Sequence, residues 1–220
     1  MYAVALLHKS PRLLSGDSNG VLQLSHIPTN TTERSKQIHT NTIRDIAISS
    51  DDTTACTGSW DFSIALISLQ SDWSTIRTFT GHTKNVMAVA YVSCSNSFAS
   101  GGGDGIVCVW DQVSALPKHK LYTPCGQIKA LVAHPHQPLV ACGGSGNVVT
   151  IFSASDFSVL RHIPVDGGVC IAAFFNDNEV LVGQNPAGLN VYNRHSSART
   201  AFFGYKDAGL ILGLQVGTFS

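Results

Sequence analysis

The chain has 220 residues, 44% of them hydrophobic, which is enough for one domain with a sizeable core. Fourteen basic residues balance 14 acidic ones, so the sequence lacks the clustered positive charge of a nucleic-acid or anionic-membrane binder. No stretch approaches the ~20 apolar residues of a membrane span, and no basic segment followed by an apolar run opens the chain. An intracellular address, cytoplasmic or nuclear, is expected.

Alternating strands begin at once, with Tyr2-Ala-Val-Ala-Leu-Leu7, and the first glycine anchor is Gly16. A polar turn, Asp17-Ser-Asn19-Gly20, follows it, and the copy closes at Ser25. The same order returns with Gly58 and Ile67, Gly101 and Trp110, Gly143 and Phe152, and Gly183 and Tyr192. The glycines are 42, 43, 42 and 40 residues apart, and the closing positions keep the same steps. A period of about 40–45 residues is the length of one four-stranded propeller blade.

The third copy is the most legible. Gly81-His82-Thr83-Lys84-Asn85 is a polar turn, Val86–Tyr91 a first strand and Phe98–Ser100 a second. Gly101-Gly-Gly-Asp104-Gly105 is a tight hairpin turn, because glycine tolerates positive φ and Asp bonds nearby backbone. Ile106–Asp111 is a third strand, and a fourth is expected around Lys120–Tyr122. After the fifth copy, Arg199–Phe203 reads as another fourth strand, and Gly209–Gln215 aligns with Val86–Tyr91 as the inner strand of a sixth blade.

The run Gly81-His82, Ser100-Gly101, Asp104-Gly105, Trp110-Asp111 closely resembles a WD repeat, with its GH start and WD finish. The resemblance implies a structural tetrad of His82, Ser100, Asp104 and Trp110. A buried Trp N–H and a buried Asp both need partners. The second copy keeps His39, Thr57 and Asp61 but has Ile67 in place of Trp; the fourth has Gly146 and Phe152, the fifth Pro186 and Tyr192. The expected fold is all-β: a propeller of four-stranded antiparallel blades, about five of them plus one extra strand, hence an incomplete or open ring. The whole chain, 1–220, reads as one propeller domain, with repeats at about 1–26, 27–68, 69–111, 112–153, 154–193 and a partial one at 194–220.

In a propeller the innermost strand lines the channel, and its first residues reach the rim together with the turn between the second and third strands. The aligned rim positions are Tyr2, Arg44, Met87, Lys129 and Cys170; the turn positions include Trp60. Tyr2, Arg44, Trp60, Met87 and Lys129 are therefore the candidate protein-binding rim, rich in residue types favoured at interfaces. Trp60 is the sharpest of them, a Trp in a tight turn; packing against a neighbouring loop is the alternative reading.

No catalytic, cofactor or metal site is expected. The Gly-rich turn leads into no helix that could hold a phosphate. His134 and His136 read as a surface loop, a pair too small for a metal site. The six cysteines contain no CxxC pair and read as small buried thiols. The function expected is a non-enzymatic protein-interaction scaffold, with other proteins as partners in a multiprotein complex. The alternatives are a structural subunit whose ring is completed within a larger complex, and a propeller enzyme or small-ligand binder.

Overall fold

The computed structural model describes residues 3–70, 72–92, 97–185 and 188–203, and every regular element among them is a β-strand. Tyr2 and the strand expected at 209–215 lie outside the described residues.

Five antiparallel four-stranded sheets follow one another along the chain, each paired in sequence order. Blade 1 is β1 (Ala3–Leu6), β2 (Arg12–Gly16), β3 (Val21–His26) and β4 (Thr31–Gln37). Blade 2 is β5 (Ile43–Ile48), β6 (Thr54–Ser59), β7 (Ser63–Ser68) and β8 (Thr75–Thr80). Blade 3 is β9 (Val86–Tyr91), β10 (Ser97–Gly102), β11 (Ile106–Asp111) and β12 (His119–Tyr122). Blade 4 is β13 (Ile128–Ala133), β14 (Leu139–Gly144), β15 (Val148–Ser153) and β16 (Val159–Pro164). Blade 5 is β17 (Gly168–Asn176), β18 (Glu179–Asn185), β19 (Gly188–Asn193) and β20 (Arg199–Phe203).

The inner strands lie side by side in chain order, β1 on β5, β5 on β9, β9 on β13 and β13 on β17. The outermost strands face water, β4 along its whole length. Hydrophobic residues therefore cluster between blades rather than within them. Leu14, Leu22 and Leu24 of blade 1 pack on Ile43, Ile46 and Ile67 of blade 2. Ile64, Leu66 and Phe79 of blade 2 meet Val86, Phe98 and Trp110 of blade 3. Strand β7 shows the logic: Ala65 and Ile67 face one junction, Ile64 and Leu66 the other, because side chains alternate across a sheet. Similar clusters join blades 3 and 4, and blades 4 and 5. Among the described residues no such cluster joins β17 to β1, which fits a partial ring.

The anchor glycines set how closely blades stack. A Cβ on Gly16 would stand 2.6 Å from Ile43 Cβ, and one on Gly58 2.7 Å from Val86 Cγ1. One on Gly143 would stand 2.6 Å from Val169 Cγ1, and one on Gly101 would run into Ile128. Each neighbour belongs to the inner strand of the next blade. The repeated glycine is thus a seat for the following blade.

Candidate functional site

Each of blades 2 to 5 carries a β-bulge near the start of its inner strand. The register passes from Ile43↔Ser59 to Asp45↔Gly58, leaving Arg44 as the extra residue. It passes from Val86↔Gly102 to Ala88↔Gly101, leaving Met87, and from Ile128↔Gly144 to Ala130↔Gly143, leaving Lys129. In β17 the same slip leaves Cys170. A bulge bends the strand and re-aims one side chain. The candidate residues Arg44, Met87 and Lys129 thus hold one equivalent position in three successive blades; Arg44 and Met87 are half-buried and Lys129 is exposed.

The turn joining each second and third strand sits at the same end. Trp60 N–H donates to the Thr42 carbonyl at 3.0 Å, Gly103 N–H to Asn85 at 2.8 Å and Ser145 N–H to Gln127 at 3.0 Å. Trp60 is half-buried, and its indole N–H is buried with no acceptor among the described residues. An unmet buried donor costs about 1–3 kcal/mol, which a Phe used only for packing would not incur.

Beneath this end lie hydrogen-bonded clamps. In blade 3, Trp110 Nε1–H donates to Ser100 Oγ at 2.8 Å, and Ser100 Oγ lies 2.8 Å from His82 Nε2. His82 Nδ1 is 3.0 Å from Asp104 Oδ2, and the same carboxylate accepts from Thr83 N–H at 2.9 Å and Ile106 N–H at 3.1 Å. A carboxylate only accepts, so Nδ1 carries the imidazole proton and Ser100 donates to Nε2. Burial lowers the His82 pKa, against the pull of Asp104. Burial works against the Asp104 charge too, but bonds from Thr83 and His82 outweigh it and hold the carboxyl below its ordinary value. The clamp therefore holds a neutral His on an ionised Asp.

Blade 2 repeats the arrangement without the Trp. His39 Nε2 is 2.8 Å from Thr57 Oγ1, and His39 Nδ1 is 3.0 Å from Asp61 Oδ2. Ile67, fully buried, fills the closing position. Blade 4 replaces both polar members with cysteines, Cys125 at the His position and Cys142 at the Ser position, and closes on Phe152. In blade 5 the Gln184 amide meets Tyr192 Oη at 3.2 Å. Turned with its oxygen inward, that amide accepts from Asp166 N–H at 3.0 Å and Gly167 N–H at 3.1 Å.

Two residues play parts that the sequence did not announce. His134, read as part of a surface loop, is buried instead: its ring packs edge-on against Phe174, 4.8 Å between centroids. His134 Nδ1 accepts from His136 and Gln137 N–H, both at 3.1 Å, so Nε2–H faces Asp177 at 3.2 Å and ties blade 4 to blade 5. Asp45, next to the Arg44 bulge, accepts from Val89 N–H of the neighbouring inner strand at 2.8 Å. Part of Asp45 reaches solvent, yet its carboxylate is enclosed by inner strands, and that burial pushes its pKa up to about 6.

The folded protein thus keeps a proton on Asp45 that the unfolded chain loses near the ordinary value of 3.8. Its contribution to stability falls as pH rises towards and through about 6. Wild type should lose about 1 kcal/mol relative to Asp45→Asn between pH 4.5 and pH 7.5, a figure reduced from the full shift for partial exposure. Urea unfolding of both proteins at the two pH values measures it; parallel pH profiles would contradict the assignment.

The family model described as "WD domain, G-beta repeat" matches residues 30–68 and 73–111. The two matched repeats and the WD-repeat relatives support a WD40 β-propeller family for the chain. It is 28% identical over 170 residues to the APC/C activator protein CDC20 of Saccharomyces cerevisiae, covering 68% of this chain and 27% of that protein. It is 29% identical over 183 residues to the guanine nucleotide-binding protein G(I)/G(S)/G(T) subunit beta-1 of Homarus americanus, covering 80% and 52% respectively. Against a chain in a crystal structure of the mitotic checkpoint complex, the TM-score is 0.85 at 21% identity, over 93% of this chain and 65% of that one. The chain spans between about a quarter and a half of the length of these two curated relatives.

Proposed function

We propose that the chain is a non-enzymatic protein-interaction scaffold that holds peptide or protein partners on the end of the blades where bulges and turns meet. The repeated bulge carries the reading: successive blades turn Arg44, Met87 and Lys129 out at one equivalent position, beside the turn that bears Trp60. Arg, Met and Trp are enriched where proteins bind one another. Tyr2 belongs to the same rim by alignment. The relatives' names, an activator and a subunit, describe proteins that work with others. Ser100 has its hydroxyl fully buried between His82 and Trp110, which removes the Ser–His–Asp set of blade 3 from service as a nucleophile.

The test is affinity capture with wild type and a Trp60→Ala/Arg44→Ala variant, read by mass spectrometry, with thermal melts to establish folding. A partner held on this face should bind the variant about 30-fold or more weakly, the effect of a hot spot of about 2 kcal/mol. Equal capture by a folded variant would remove the face from consideration. A second reading, a subunit whose ring is completed by its complex, is favoured by Val4 and Leu6 on β1, 54% and 47% exposed. In that case the same capture yields a partner that survives the Trp60/Arg44 change.

A further inference from the structure

Blade 4 departs from the clamp in a chemically specific way. Cys125 Sγ lies 3.9 Å from Cys142 Sγ, 3.5 Å from the Cys142 carbonyl and 3.3 Å from Thr150 Oγ1. Thr150 Oγ1 in turn meets His162 Nδ1 at 3.0 Å. Both cysteines are free thiols with no solvent exposure, and no third metal-ligating side chain joins them among the described residues. Two soft donors alone make a poor closed metal site. Two sulfurs in van der Waals contact, one on the turn that leads into β13 and one on β14, are instead placed to bond to each other after a modest rotation about χ1.

We infer that Cys125 and Cys142 are a redox modification site, a dithiol that a hydroperoxide converts reversibly to a disulfide. Cys125 is the attacking sulfur. The Cys142 thiol, against the effect of burial and helped by the Thr150 hydroxyl, lowers the Cys125 pKa to about 6, while Cys142 itself is raised. Its cover is thin: Pro124 and Gly126 on either side are both exposed, so opening one loop admits a peroxide. The two fully buried thiols elsewhere, Cys56 and Cys108, sit within strands and are both raised by burial.

The chemistry balances in two steps. The Cys125 thiolate attacks one peroxide oxygen, the O–O bond breaks, and the departing hydroxide takes the thiol proton as water, leaving Cys125 as a sulfenic acid. Cys142 sulfur then attacks Cys125 sulfur, the S–O bond breaks, and a second water leaves with the Cys142 proton. Two thiols lose two electrons and hydrogen peroxide gains them. The product ties the segment entering β13 to β14, a covalent counterpart of the His82–Ser100 bond in blade 3.

The experiment treats the folded protein with dilute hydrogen peroxide, then denatures, alkylates and digests it without reductant. Trypsin cleaves at Lys129, between the two cysteines, so a disulfide appears as two peptides joined only through sulfur. The expected result is loss of two reactive thiols out of six, a Cys125–Cys142 linked peptide pair, and restoration of both by dithiothreitol. Cys142→Ser, which installs the residue found in blade 3, should abolish the link while the protein still melts cooperatively. Full alkylation of both cysteines, a link to any other cysteine, or sulfenic or sulfinic acid accumulating on wild-type Cys125 without a link would each overturn the inference.

Discussion

Ser100→Ala is expected to destabilise the protein by about 2–4 kcal/mol, far more than the loss of one hydroxyl from a surface would. Ser100 Oγ is the pivot of the blade 3 clamp, accepting from Trp110 Nε1 and donating to His82 Nε2, both at 2.8 Å. All three residues are buried, so no water replaces the hydroxyl. Removing it strands one donor and one acceptor together, each at about 1–3 kcal/mol. Trp110→Phe removes only the donor, and blade 4 closes on Phe152 at the same place. The double variant should therefore cost about 1 kcal/mol less than the sum of the two singles. Urea titrations of the four proteins measure the cycle. A cost below about 0.5 kcal/mol for Ser100→Ala would mean that the clamp does not hold the blade.

Gly101→Ala should cost about 3 kcal/mol, at the upper end for overpacking, although it adds a single methyl group. The new Cβ would stand 2.9 Å from Ile128 Cβ and nearer still to its γ-branch. Ile128 is fully buried at the start of β13, so the collision pushes blade 4 off blade 3. Gly103→Ala, two residues on, is the control: its Cβ would meet Lys84 Cβ at 3.6 Å, an ordinary contact, and stability should barely change. Ile128→Ala removes the nearer γ-branch and leaves only the Cβ at 2.9 Å, so Gly101→Ala should cost less on that background than in the wild type. Additive costs would place the strain elsewhere.

The strands were legible because each is a short alternating run bounded by Gly, Asp or Asn turns. The expected Val86–Tyr91 and Ile106–Asp111 match β9 and β11 residue for residue, and Arg199–Phe203 matches β20. The period gave the blade count because the anchor glycines are where the next blade seats, a packing demand that recurs once per repeat. Chemistry that depends on contacts between repeats stayed hidden. His134 looks like loop material beside two prolines, and only the approach of Phe174 and Asp177 from the next blade buries it. Asp45 gives no sign in the sequence that Val89 of another blade completes its shell. The cysteine pair did leave a trace: His39, His82 and Cys125 are spaced by 43 and 43 residues, so Cys125 inherits the histidine's place. Alignment also found Arg44, Met87 and Lys129 together, but only the ladder register shows each as a bulge residue.

Cores that belong to junctions rather than to sheets leave an interior blade such as blade 3 with no private interior. The buried hydrophobic residues in it pack towards one neighbour or the other, so a change of volume there disturbs two modules at once. The bulge residues Arg44, Met87 and Lys129 belong to none of these clusters. On the proposed function, exchange of Arg44, Met87 or Lys129 would then alter binding preference while the stack stays put, without renegotiating the architecture that presents them.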